Sequence, residues 1–116
     1  MTTKKLELSE REIGNALVIE VVGELTVGSG TERLLDVVRK TLGAGRRLLL
    51  VNLSRCSRVD PSGIGELVTC LVTATRHDAT LRLTAIPQQI RGLMKMTNVL
   101  KAFEVFDTDE AAMKQG

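Results

Sequence analysis

The sequence predicts an α/β fold: a largely parallel or mixed sheet covered by helices. Two observations carry this expectation. Apolar runs of strand length alternate along the chain with amphipathic stripes at helical spacing, and such alternation requires crossover connections. Glycine, proline and asparagine stand where the pattern changes, so punctuation and periodicity agree. The 116 residues fit one domain. A chain of that size buries roughly two-thirds of its unfolded surface, which allows a core without disulfides or metal.

Residues 6–10 alternate weakly and suit an edge strand. Residues 16–22 form an apolar run broken only by Glu20, read as a central strand that Gly23 ends. The chain turns at 28–30, where Ser29 or Thr31 is placed to cap a helix over 31–42. Leu34, Leu35, Val38 and Leu42 make its apolar stripe, and Gly43-Ala44-Gly45 stops it. Residues 48–53 read as a second buried strand. A longer helix runs from Pro61 or Ser62 to about Arg76, its stripe formed by Ile64, Leu67, Val68, Leu71, Val72 and Thr75. Residues 80–85 alternate Leu81 and Leu83 with Arg82 and Thr84, as a strand does. Pro87 opens a helix through Ile90, Leu93 and Met94 that Asn98 stops in a left-handed conformation. A short strand over 103–106 and a short helix over 109–114 complete the chain.

Composition narrows the function classes. Hydrophobic residues make up 43% and charged residues 26%, ordinary values for a soluble globule. Tyr and Trp are absent, so the core is aliphatic and base stacking has almost no means beyond Phe103 and Phe106. The net charge of +2 is interspersed rather than clustered, which argues against nucleic acid. Cys56 and Cys70 match neither a redox pair nor a zinc set, and free thiols suit a reducing compartment. Residues 1–7 are too polar for a signal peptide, and no run has the length of a membrane span. A cytoplasmic protein without direct membrane insertion is expected.

The motifs that could carry chemistry mostly fail. Gly28-Ser29-Gly30 stands where a dinucleotide loop would, but Arg33 takes the place of the third glycine and no acid ends the next strand. Ser62 lacks the first glycine of a nucleophile elbow. The single histidine, His77, lies further along the same helix, roughly 22 Å from Ser62 at the standard rise. It is too far to serve as a base, and at a helix end its imidazole faces the negative dipole. No catalytic residue, metal ligand set or cofactor site is assigned. What remains is the helix start itself. Asp60 is placed to cap it, and Pro61 suits the first helical position. Ser62 follows with its hydroxyl outward. Gly63 is expected to leave backbone open to a close partner. A phosphate on Ser62 would gain from free N–H groups and the helix dipole. Local physics alone favours a simple helix start over a switch.

The segment Asn52-Leu53-Ser54 … Val59-Asp60-Pro61-Ser62-Gly63-Ile64-Gly65 resembles the signature of STAS domains of the anti-sigma factor antagonist type. In that signature a strand ends in Asp-Leu-Ser and a loop reads Asp-Ser-Ser-Gly-Leu-Gly. Gly23-Glu24-Leu25 resembles the family's Gly-x-Leu-Asp. Pro87 through Asn98 and Phe103-Glu104-Val105-Phe106 resemble its Pro-x-Val-x-x-Leu-x-x-Thr-Gly-Leu stretch and the strand that follows. Three motifs at consistent spacing span nearly the whole chain, so the resemblance covers 1–116 as a single STAS domain. It implies a small mixed sheet of about five strands with about four helices mainly on one side. It also implies a non-enzymatic switch. The unphosphorylated form would bind an anti-sigma factor that is also a serine kinase, releasing a sigma factor; phosphorylation of Ser62 would lower affinity, and a serine phosphatase would reset it. ATP would belong to the kinase, so this chain needs no cofactor. The implied partner surface comprises Asp60, Pro61, Gly63, Ile64 and Gly65, with Thr26 and Pro87 from neighbouring loops, and extends over residues 26–29 and 86–88. Three positions depart from the pattern. Pro61 replaces the first serine of the pair, Thr26 stands where an Asp is usual, and Asn98 replaces a glycine. Two other readings stay open under the same fold: a subunit of a larger assembly such as a lipid-transport ATPase, and a small-ligand binder.

Overall fold

The computed structural model describes residues 6–114. Residues 1–5, most of the segment read as too polar for a signal peptide, lie outside the described residues. Six strands form one mixed sheet ordered β1-β2-β3-β5-β6, with β4 pairing β2 off that path. β1 (Leu6–Ile13) and β2 (Ala16–Leu25) are antiparallel; β3 (Leu48–Asn52), β4 (Cys56–Val59), β5 (Thr80–Thr84) and β6 (Glu104–Phe106) run parallel to β2 or to each other. The helices are α1 (Glu32–Gly43), α2 (Pro61–Arg76), α3 (Gln88–Met96) and α4 (Asp109–Met113).

Alternation sorts the strand side chains onto two faces. Leu17, Ile19 and Val21 of β2, Leu49 and Val51 of β3, and Leu81 and Leu83 of β5 join the main core. That core also takes Leu34 and Val38 of α1, Leu67 and Cys70 of α2, and Ile90 and Met94 of α3. Ala16, Val18 and Leu50 face the other way and meet Ala112 of α4. Three helices therefore cover one face and the short α4 covers part of the other. The mixed sheet and the bias to one side are as expected.

Several boundaries differ from expectation, each for a physical reason. β1 continues past Glu10 to Ile13, because Gly14 at φ +56° and Asn15 close a two-residue hairpin loop. β2 continues past Gly23 to Leu25. Gly23, at φ +101°, marks a register shift in the pairing with β4, so it bends the strand rather than ending it. β4 was not foreseen at all. It is a four-residue strand inside what reads as a polar loop, and it raises the strand count to six. Neither Ser29 nor Thr31 caps α1: the Ser29 hydroxyl donates to Thr26 O at 2.6 Å, and Thr31 makes no side-chain cap bond. Glu66 of α2 takes over, its Oε2 accepting the Leu35 N–H at 3.1 Å. The buried stripe of α2 is Gly63, Ile64, Leu67, Cys70 and Ala74, whereas Val72 is 43% exposed and Thr75 is exposed. Asn98 does adopt the left-handed conformation, at φ +61°. A 3-10 turn over Leu100–Ala102, also unforeseen, leads into β6.

Candidate functional site

Because β2, β4 and β5 share one direction, the loops leaving their C-terminal ends lie along one edge of the sheet. These loops carry Thr26, Ser62 and Pro87. Val59 ends β4, and Asp60 then adopts the extended conformation of an N-cap, with φ −108° and ψ 179°. Its backbone N–H donates to Leu25 O at 3.3 Å, which ties the helix start to the end of β2. Its carboxylate has two jobs. Oδ1 accepts the Gly63 N–H at 2.9 Å, the expected cap. Oδ2 accepts the Val27 N–H at 2.9 Å, a bridge to the loop after β2. Partial burial pushes the Asp60 carboxyl up, but the N–H groups of Val27, Gly63 and Ser62, with the charge of Arg58, outweigh it and hold the carboxyl below its ordinary value.

Pro61 occupies the first helical position and is exposed, and Ser62 follows it, also exposed. Gly63 corrects an expectation. It is buried against β2, and a Cβ there would lie 1.9 Å from Leu25 O. Its lack of a side chain lets α2 approach the sheet and leaves no open backbone for a partner. Ile64 is only 7% exposed and anchors the turn in the core. Gly65 is exposed, with nothing near the position of a Cβ. Two of the expected free N–H groups are taken, Gly63 N–H by Asp60 Oδ1 and Ile64 N–H by Asp60 O at 2.9 Å, and the Ser62 N–H acts on the same carboxylate. Pro61, Ser62 and Gly65 are thus the exposed residues at the start of α2.

Thr26 is buried, and its hydroxyl donates to Glu24 Oε1 at 3.2 Å. The turn over residues 26–29 closes on itself: Thr26 N–H donates to Ser29 Oγ and Ser29 N–H to Thr26 O, both at 3.0 Å. That closure holds Val27 at the tip, 75% exposed. The expected partner surface included Val27 within residues 26–29 without singling it out. The signal was there in a valine flanked by Thr26 and Gly28, outside any apolar stripe. On the far side of the edge, Ile86 is buried and Pro87 half-buried; Ala85 before them sits at φ +54° and donates to Phe106 O. Among the described residues, no hydrogen bond joins Pro87 to the Ser62 turn as one joins Val27 to Asp60.

His77 ends α2 with Nδ1 2.9 Å from Thr73 O. Cys56 and Cys70 are free and buried; burial raises both thiols, Cys70 to about 12. Asn52, the first residue of the loop motif, has a role the sequence did not disclose. Its Oδ1 accepts the Ser54 N–H at 2.9 Å, while its Nδ2 donates to both carboxylate oxygens of Asp109 in α4. Asp109 is 5% exposed and also accepts from Thr84 Oγ1 at 2.5 Å and from Arg11. Among the described residues, no helix is long and apolar enough to cross a membrane.

A family model described as Mlab, STAS domain matches residues 8–106. Among solved structures, an anti-sigma factor antagonist from Mycobacterium paratuberculosis superposes with a TM-score of 0.82 at 15% identity, over 96% of this chain and 93% of that one. The Bacillus cell fate determinant SpoIIAA in its phosphorylated form gives 0.70 at 17% identity, over 94% and 98%. A sulfate transporter family protein from Wolinella succinogenes gives 0.69 at 16% identity, over 87% and 84%. At these identities the likeness is one of fold.

Proposed function

This chain belongs to the STAS domain family, and on that premise we propose that it is a cytoplasmic anti-sigma factor antagonist switched by phosphorylation of Ser62. One observation carries the reading. Ser62 presents an exposed hydroxyl on the first turn of α2, beside an exposed apolar tip at Val27, and Asp60 bonds to both segments. The unphosphorylated surface, with Pro61 and Ser62 at its centre and Val27 and Pro87 at its margins, binds an anti-sigma factor with serine kinase activity. The kinase brings ATP. The Ser62 Oγ–P bond forms as the bond between the γ-phosphorus and its bridging oxygen breaks; ADP leaves, and a base of the kinase takes the hydroxyl proton. The product carries about −1.5 to −2 charges where the partner sat, and affinity falls. A serine phosphatase restores the hydroxyl with water and releases phosphate. This chain acts as a binding switch, with no catalysis or cofactor of its own.

Intact mass after incubation with the cognate kinase and ATP tests the modification: one added phosphoryl group on the native chain, none on Ser62→Ala. A pull-down with Ser62→Asp tests the switch. Retention of every wild-type partner would sink it. A second reading draws support from the fold shared with a sulfate transporter family protein. It makes the chain a lasting subunit of a larger assembly, such as a lipid-transport ATPase, with no phosphoswitch. Co-purification with a membrane ATPase, unaffected by Ser62→Ala, would favour it.

A further inference from the structure

We propose that Asp60 couples Ser62 to the Val27 tip, so that a phosphoryl group on Ser62 releases Val27 from its tether. The inference rests on the phosphoswitch reading and specifies how that switch is relayed within this chain. The Val27 N–H bond to Asp60 Oδ2 connects the turn over residues 26–29 to the start of α2. The other bonds that close the turn run between Thr26 and Ser29 and do not involve α2. The same carboxylate occupies the Gly63 N–H, and Pro61 has no N–H to offer. The Ser62 N–H also acts on the Asp60 carboxylate, so a phosphoryl group two residues from Asp60 competes with that carboxylate for the donors of the first turn. It gains one by drawing the Gly63 or Ser62 N–H away from Asp60, and it repels the carboxylate whether it does so or not. Either way Asp60 is displaced from its position between two N–H groups. The cap at Gly63 can pass to the phosphate, because both donor and acceptor lie on the helix start. Val27 N–H has no such substitute. An apolar side chain that is 75% exposed then loses its fixed position beside the new charge. A partner that grips both Ser62 and Val27 loses two contacts through one modification.

Amide hydrogen exchange followed by NMR on the full chain tests this, with phosphoserine installed at position 62 during translation so that no kinase is required. Failure of the kinase assay above would refute the phosphoswitch and leave this measurement intact. The Val27 amide is expected to exchange at least about fivefold faster in the phosphoserine form, the scale of one lost hydrogen bond. The Ser29 amide, held within the turn, keeps its rate. In Asp60→Ser the cap on Gly63 survives but no second oxygen reaches Val27. There the Val27 amide is already fast, and phosphoserine adds no further change. An unchanged Val27 rate on phosphorylation of the native sequence overturns the proposal. So does an equal acceleration in Asp60→Ser.

Discussion

Gly63 and Gly65 stand two residues apart in α2 and answer to opposite demands. At Gly63 a methyl group would lie 1.9 Å from Leu25 O, so the helix or β2 must move. Gly63→Ala is expected to cost about 2–3 kcal/mol, read as a lower urea midpoint. At Gly65 a methyl group meets nothing within 4 Å, and alanine is the better helix former. Gly65→Ala is expected to gain about 0.5–1 kcal/mol in the same measurement. Both glycines belong to the motif that the sequence displays. Which one is compressed could not be read, because that depends on a carbonyl more than thirty residues earlier in the chain. Asp60 adds a dependence on pH. Its carboxyl titrates lower in the folded chain than in the unfolded one, so its contribution is complete above the ordinary carboxylate value, about 4, and is lost as pH falls through the folded value. The gap in urea midpoint between the native chain and Asp60→Ala is accordingly expected to narrow from pH 7 toward the acid limb. A gap that widened in acid would refute this assignment.

At the scale of elements, α1 and α2 depend on each other more than their own sequences imply. α1 begins at Glu32 without a side-chain cap from Thr31, and Glu66 of α2 accepts the Leu35 N–H in its first turn. Glu66→Ala is expected to destabilise by about 1 kcal/mol, the value of a lost cap. Thr31→Ala should cost less, since no cap bond is removed. Equal losses in thermal melts would contradict the borrowed cap. The apolar stripe of α2 teaches a related lesson. Hydrophobicity points to Val68, Leu71, Val72 and Thr75, but Gly63, Cys70 and Ala74 are the residues buried with Ile64 and Leu67. The buried face is turned by about a quarter of the helix circumference from the expected one. Small residues seat the helix close to the sheet, and a stripe weighted by hydrophobicity undervalues them. β4 was missed for a similar reason. Only Cys56 and Val59 of its four residues are buried, and it is a strand because Gly23, Glu24 and Leu25 offer it a partner.

For the whole molecule, the second face of the sheet depends on a polar cluster rather than on apolar contact alone. Asp109 is nearly fully buried among Asn52, Thr84 and Arg11, and through Asn52 it touches the start of the loop that leads toward Ser62. Arg82 extends the cluster, bonding Glu104 and the carbonyl of Ala112. Removing the carboxylate leaves buried donors without an acceptor. Asp109→Ala is therefore expected to cost about 3 kcal/mol or more, measured by urea or thermal unfolding. A loss below about 1 kcal/mol would mean that water replaces the carboxylate at little cost. The alternation of Leu81 and Leu83 with Arg82 and Thr84 foretold the strand and its two faces. It did not foretell that all four would be buried, because α4, which covers the polar face, arrives from the far end of the chain.

Local chemistry determined most of the architecture. The apolar runs made strands, the helical stripes made helices, and Asp60-Pro61 and Asn98 set boundaries where their backbone preferences place them. The exposed serine at the head of α2 was legible for the same reason, since cap, proline and hydroxyl are consecutive residues. Tertiary structure alone decided what surrounds that serine. The approach of Gly63 to Leu25, the bond from Val27 to Asp60 and the tie from Asn52 to Asp109 join residues far apart in sequence. Each forms only once strands parallel to one another bring their C-terminal ends to a common edge. Periodicity reports which face of an element is apolar, but not which backbone group waits opposite it.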